Sequence, residues 1–375
     1  MLNLKKNMPA LCFFAKICVR FGFYGVCAYL CLMEKQASLY GLTLAGLQDL
    51  CLGLQLPRYA AGQISRRLYR HFAPSIEERT ELSKSARAAL AERFVTGLSA
   101  PLSESVSRDG TKKYLFGTSQ GAFIESAYIP DRDRATLCVS SQAGCRMGCR
   151  FCATGRQGLQ HSLSAADILN QIVSLPERDR LTNLVFMGMG EPLDNMESLL
   201  PALEILTSEW GFGMSPTRIT VSTAGIASRL DEFLQKTSVH IAVSLHNPFH
   251  DERAEIMPVE NACPIEEVVS ILRRYDFSHQ RRVSFEYIVM SGLNDSPRHI
   301  RGLCRLLNGL RCRINLIRFH RIEGSPYFSP GQAAMERFRD ALTAKGITTT
   351  IRASRGEDIE AACGLLSTKQ VKIRN

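Results

Sequence analysis

The sequence predicts an α/β fold: a parallel sheet curled into a complete or partial (β/α) barrel, with a small helical module ahead of it. Three observations carry this reading. From Ala135 onward, apolar strand-like runs alternate with helical stretches. The polar residues of unusual composition all follow the C-terminal ends of those runs, where such barrels place their chemistry. Upstream, the apolar period changes from helical in 39–97 to alternating in 100–134.

The leader comes first. Residues 1–32 hold Lys5, Lys6, Lys16 and Arg20, no acid and four of the 13 cysteines. The apolar run 21–33 is too short to span a bilayer, and no small-residue cleavage site follows it. Met33 opens an ordinary polar start, Glu34-Lys35-Gln36. The expectation is that Met33 is the initiator and that 1–32 is an over-extended or non-native leader.

Residues 33–98 read as a helical accessory domain. Pro57 separates two helical patterns, and Arg66, Arg67 and Arg70 lie on the second. These arginines suit nucleic-acid contact or a solvated face equally well. Residues 99–134 read as a β-hairpin linker, with strands at 113–116 and 122–129 around a turn at Ser119-Gln120-Gly121. The barrel core is 135–375. Its strands are expected at 136–140, 183–187, 218–221, 239–244, 283–289, 313–319 and 348–352. Helices are expected between them, as at 164–175, 196–207 and 265–275.

Net charge is +10, or +6 without the four leader cations, which suits a polyanionic partner. Hydrophobic content of 45% is that of a globular chain able to bury a core. A disulfide framework is not expected in a chain of this size and strand pattern, and 13 cysteines without one suit a reducing compartment, so a cytoplasmic location is expected.

Cys145, Cys149 and Cys152 are spaced C-x₃-C-x₂-C in a glycine- and arginine-containing loop after the first barrel strand. Structural zinc sites use four protein ligands, usually in separated pairs. Iron–sulfur clusters normally use four thiolates. Three at this spacing suggest a cubane with one iron left open for a ligand. After the second strand, Gly188-Met189-Gly190-Glu191-Pro192 lets backbone approach a ligand and presents a carboxylate to an ammonium or hydroxyl. It begins like a dinucleotide fingerprint, but Leu193 stands at the third glycine position. Ser222, Ser244, Leu245 and His246 close the third and fourth strands, and His320 the sixth. Cys138, in the first strand, and Cys363, in a small-residue loop near the C-terminus, are each either a buried apolar cysteine or a candidate nucleophile.

Together these motifs resemble one family. Leu137-Cys138-Val139-Ser140-Ser141-Gln142, the cysteine loop with Phe151 before its third cysteine, and Gly190-Glu191-Pro192 fall in order. Val243-Ser244-Leu245-His246 follows, then Arg355-Gly356-Glu357-Asp358-Ile359 running to Cys363-Gly364. The family is the radical S-adenosylmethionine (radical-SAM) adenine C2 methyltransferases of 23S rRNA and tRNA, and the similarity covers 38–368. It implies a radical-SAM partial (β/α) barrel and one 4Fe-4S cluster held by Cys145, Cys149 and Cys152. It implies two SAM molecules per turnover, contacted by Gly190, Glu191, Ser222, Ser244, Leu245 and His246. One SAM would methylate Cys363. The other would give a 5′-deoxyadenosyl radical that takes hydrogen from the methylated cysteine. The resulting carbon radical would add to adenine C2, and Cys138 would release the product by forming a disulfide with Cys363. Glu125 matches the family's proton acceptor. The implied partners are 23S rRNA, tRNA and an electron donor such as flavodoxin or ferredoxin, with no membrane and a monomeric enzyme. One departure is His320, where the family has Asn. A C8 adenine methyltransferase of the same rRNA site shares these cysteines. A non-catalytic zinc RNA-binding protein would need neither Cys138 nor Cys363.

Overall fold

The computed structural model describes residues 37–73, 75–76, 82–278 and 282–368. The leader 1–32 and Met33 lie outside the described residues.

The helical module contains α1 (Leu44–Gly53), α2 (Ala60–Tyr69) and α3 (Lys84–Arg93), flanked by the short parallel pair β1 (Ala37–Ser38) and β2 (Phe94–Val95). Thr43 and Ser83 cap α1 and α3, their side chains accepting the N–H of Gly46 and Ala86. One face of α2, with Ile64, Leu68 and Tyr69, is fully buried. Arg70 is not a free surface cation. Its guanidinium donates to the carbonyls of Glu209 (2.5 Å) and Phe212 (3.2 Å), and Tyr69 and Phe72 pack on Phe212. This fastens the module to the main domain.

The main sheet has ten strands: β3 (Ser103–Val106), β4 (Lys112–Gly117), β5 (Phe123–Asp131), β6 (Arg134–Cys138), β9 (Asn183–Phe186), β10 (Ile219–Thr223), β11 (His240–Ser244), β12 (Val283–Val289), β13 (Arg313–Arg318) and β14 (Thr348–Ile351). A short antiparallel pair, β7 (Gln142–Ala143) and β8 (His161–Ser162), brackets the cysteine loop. Strands β6 and β9 to β14 run parallel in sequence order, the partial barrel expected. The helices between them are α4 (Ala153–Gln157), α5 (Ala165–Val173), α6 (Met196–Thr207), α7 (Ala227–Lys236), α8 (His250–Ile256), α9 (Ile265–Leu272), α10 (Pro297–Leu306) and α11 (Gln332–Ala344). Ser164 and Asp167 form a reciprocal capping box at the start of α5.

The region 103–131 differs from the two-stranded linker expected. It forms three antiparallel strands, and β5 pairs with β6, so it extends the barrel sheet. The reason is the first barrel strand. With β9 on one side only, β6 would leave a row of backbone donors and acceptors unpaired, and β5 supplies their partners.

Strand alternation sorts the site. Leu184, Phe186, Val221, Ile241, Val243, Phe285, Tyr287, Ile314 and Leu316 are buried in the principal core. Their sequence neighbours point to the other face. Cys138, Met187, Ser284, Glu286, Asn315 and Arg352 therefore share a polar lumen, which opens as a cleft of about 560 Å³.

Candidate active site

The cysteine loop is shaped by Gly144 (φ +77°), where a Cβ would fall 1.8 Å from the Gly158 carbonyl oxygen. Any side chain there would push 144 and 158 apart and break the Cys145 N–H bond to Gly158 (3.1 Å). Cys149 and Cys152 pack with Cys363 against an apolar wall that includes Phe151, Ile256, Met257 and Phe319. Burial pushes the Cys145 thiol up to about 12 and raises those of Cys149 and Cys152, and each feels the charge of another sulfur of the group. Such thiols release their protons only to a strongly cationic centre, as an iron–sulfur cluster provides. Among the described residues, no three His, Cys, Asp or Glu side chains converge as one metal ion would require. Thiolates on different irons of a cubane need no such convergence. The donor set fits a cluster better than zinc.

The glycine turn lies against this loop. At Gly190 (φ +99°) a Cβ would meet Gln142 at 2.5 Å. Glu191 is buried; one carboxylate oxygen accepts from Leu193 N–H (3.1 Å) and the other from Ala224 N–H (2.7 Å). Burial dominates and lifts its pKa to about 7. A carboxylate has about four acceptor positions, so two backbone bonds leave capacity for an ammonium group. Gln142, to which sequence reasoning gave no role beyond its place in the run before the cysteine loop, accepts from Glu191 N–H (2.9 Å) and donates to Asp194 (2.8 Å). Asp194 in turn pairs with Arg146 of the cysteine loop (2.8 Å).

Ser222 and Ser244 are half-buried on the lumen side, and Leu245 is fully buried. His246 is held at φ +55°. Its Nδ1 accepts from Ile288 N–H (3.0 Å), and its ring meets Phe151 edge-on at 4.7 Å. Burial, then the nearby Arg253 charge, lowers its pKa to about 3. The ring is therefore neutral with its proton on Nε2, a fixed donor. Arg253, also missed, is fully buried. It donates to the carbonyls of Leu245 (2.9 Å), Ala224 (2.9 Å) and Ser244 (2.8 Å) and pairs with buried Glu260. It thereby clamps the loops after β10 and β11.

Cys138 and Cys363 face one cleft, with Cys152, Met187, Glu286 and Arg352. Burial, then the adjacent Cys363 sulfur, pushes the Cys138 thiol up to about 12. The Cys363 loop is held at three points, two on the turn between β3 and β4 and one at the start of α4. Asp109 accepts from Gly356 N–H (3.0 Å), Asp358 accepts from Ser107 Oγ (2.5 Å), and Gly364 accepts from Ala153 N–H (2.8 Å). Glu125 is placed differently. It lies beside the cleft rather than lining it, pairs with Lys113 (3.0 Å), and accepts from Ser367 N–H (2.9 Å) on the segment after Cys363. Burial raises its pKa. His320 lines the cleft, and its ring faces the C-terminal loop through Ser354 Oγ (3.2 Å).

Comparison with known proteins decides the family. The model of the Radical SAM superfamily matches residues 139–304. A probable dual-specificity RNA methyltransferase RlmN from Bacteroides fragilis is 53% identical over 337 residues, covering 90% of this chain and 98% of that protein. This chain belongs to the RlmN family of radical-SAM RNA methyltransferases. The RlmN of Syntrophus aciditrophicus is 39% identical over 342 residues, covering 90% and 98%. A crystal structure of a radical SAM methyltransferase from Sphaerobacter thermophilus superposes with a TM-score of 0.82 at 42% identity, over 88% of this chain and 99% of that one. Membership in the RlmN family implies a 4Fe-4S cluster and SAM. Among the described residues, no helix is long and apolar enough to cross a membrane.

Proposed function

We propose that this enzyme methylates C2 of an adenine in 23S rRNA and in tRNA, with Cys363 as methyl carrier and Cys138 as resolving thiol. The observation that carries this is the shared cleft of the two thiols, beside Cys152 and far apart in sequence. Adenine C2 bears no acidic proton and is electron-poor, so direct displacement on SAM by that carbon fails. The cluster and SAM, when bound, supply the methyl group and a 5′-deoxyadenosyl radical.

The chain's own residues divide the work. Cys145, Cys149 and Cys152 hold one cluster. Gly190, Glu191, Ser222, Ser244, Leu245 and His246 hold SAM, two molecules per turnover. His320, with a ring nitrogen in place of the family's Asn amide, completes that shell. Cys363 takes the methyl carbon on sulfur and carries it to the base. Cys138 attacks that sulfur to free the product, and Glu125, made more basic by burial, accepts the proton from the modified carbon. The base must leave its stack to reach Cys363. The net charge of +10 suits that polyanion. The enzyme works as a cytoplasmic monomer, with flavodoxin or ferredoxin as donor.

The C8 reading uses the same cysteines. The "dual-specificity" of the relatives' names favours the reading with two RNA classes. Cys363→Ala should abolish methylation, and Cys138→Ala should leave RNA covalently attached on a denaturing gel. Full methylation by the first variant, or a gel free of adduct with the second, would remove the covalent route.

A further inference from the structure

Arg352 follows β14, the strand at the open edge of the barrel. Alternation turns it, with Thr350, into the lumen. Its guanidinium reaches the opposite side of the cleft, where Nη1 lies 3.2 Å from Met187 Sδ, just past β9. On the way it pairs with Glu286 of β12 at 3.4 Å.

Glu286 is itself fixed. It is 3% exposed, and its other oxygen accepts from Asn315 Nδ2 (2.8 Å) and Ser284 Oγ (3.2 Å). Asn315 Oδ1 accepts from Thr350 Oγ1 (2.8 Å). A polar chain therefore runs from Thr350 through Asn315 and Glu286 to Arg352, across three strands. Its end is a guanidinium in the cleft that Cys138 and Cys363 line.

This cation meets a need of the thiol pair. Burial, then the Cys363 sulfur, disfavours the Cys138 thiolate, and the thiolate is the attacking species. The cleft around Cys138 is lined by Cys152, Cys363, Glu286 and Arg352, and further out by Asp131, Arg134, His240, Arg282, Arg313, His320 and Arg355. Of the cations among these, Arg352 is the one whose charge bears on the Cys138 sulfur, working against burial. A thiolate formed on Cys363 or Cys138 would favour its charge, and the Glu286 carboxylate pairs with its guanidinium, so its pKa is raised.

We propose that Arg352 is the positioning residue of the release step, a guanidinium strutted across the open side of the barrel that orients Cys138 toward Cys363 and stabilises the attacking sulfur. This rests on Cys138 being the resolving thiol. In that step Cys138 gives its proton to solvent and its sulfur attacks Cys363 Sγ. An S–S bond forms and the bond from Cys363 sulfur to the product carbon breaks. The electron pair of the broken bond passes to that carbon, which takes up a proton. The two cysteines are oxidised together, the product carbon is reduced, and a dithiol reductant returns two electrons before the next turnover.

The test uses the cluster-loaded full chain with SAM, a reductant and an RNA oligonucleotide. Arg352→Gln, Arg352→Lys and Glu286→Gln are compared with wild type and Cys138→Ala. Arg352→Gln should accumulate covalent RNA adduct about tenfold above wild type while still forming 5′-deoxyadenosine. Arg352→Lys should fall between, because it keeps the charge and loses the fork. Glu286→Gln should shift the same way by less. A second readout needs no cluster: diamide-driven formation of the Cys138–Cys363 disulfide, followed by peptide mapping, should slow about tenfold in Arg352→Gln. Wild-type adduct levels in Arg352→Gln, with Cys138→Ala trapping RNA, would overturn the proposal. So would loss of 5′-deoxyadenosine in both Arg352 variants, which would place the residue in an earlier step. If Cys138→Ala traps nothing, the resolving role itself fails, and the disulfide rate alone then decides whether Arg352 governs the pair.

Discussion

Replacing Arg253 with Met should separate the clamp on the SAM loops from the stability of the fold. The guanidinium is fully buried and ends on three carbonyls and the Glu260 carboxylate. Removing one partner of such a pair typically costs about 3–5 kcal/mol, because the other charge stays buried. Glu260 would keep His250 Nδ1 (2.9 Å) and Ile265 N–H (3.1 Å), so the lower end of that range applies. For a chain of 375 residues, the entropy of unfolding converts 3 kcal/mol into a fall in Tm of about 4 °C. Differential scanning calorimetry reads this, and equilibrium binding to the reconstituted protein reads SAM affinity. The double variant Arg253→Met/Glu260→Leu should recover most of the lost Tm, since both charges leave together. It should still bind SAM about tenfold more weakly, because the carbonyls of Ala224, Ser244 and Leu245 lose their common donor. A single variant that melts with wild type, or a double variant with wild-type SAM affinity, would refute the clamp.

Three further outcomes follow from the same geometry. Glu191 is an acid whose folded pKa, about 7, exceeds its ordinary value of 4.5. Its contribution to stability is complete below pH 4.5 and declines as pH rises through 7. Glu191→Gln should therefore flatten the pH–stability curve of the SAM-free protein by about 3 kcal/mol between those limits; parallel curves for the two proteins would contradict the assignment. Asp109 has the opposite sign. Burial works against its charge, but hydrogen bonds from Thr111, Gly356 and Ser107 win and lower its pKa to about 2. Its contribution holds above the ordinary value of 3.8 and fades as pH falls toward 2. Asp109→Ala should cost about 1 kcal/mol after solvent screening and expose the 356–364 loop to proteolysis; an unchanged cleavage rate would count against the tether. Gly144→Ala should lower iron content after reconstitution, measured by iron and sulfide analysis, because its Cβ has no room beside Gly158; full cluster loading would show that the loop can relax.

What the sequence disclosed and what it hid follow from the range of the interactions. The seven parallel strands were legible because each apolar run is local. The cysteine spacing and the glycine turn are likewise local, and the rule that chemistry follows strand ends gathered them on one face. Pairing of β5 with β6 was hidden, since a hairpin pattern does not say which edge it joins. Arg253 reads as one more charge in His250-Asp251-Glu252-Arg253, an ordinary surface helix in composition. Only the fold brings it under three carbonyls. The contacts of Gln142 and Asp109 were invisible for the same reason: their partners are 49 and 247 positions away. The contact of His320 with Ser354 was hidden too, because only the fold brings the C-terminal loop back over the end of β13.

The most direct test of the central claim is mass spectrometry of nucleosides from 23S rRNA and tRNA of a strain lacking this gene, with and without the gene restored. The account predicts 2-methyladenosine in both RNAs only when the gene is present. Appearance of 8-methyladenosine instead, or of neither nucleoside while the purified protein still cleaves SAM, would contradict it.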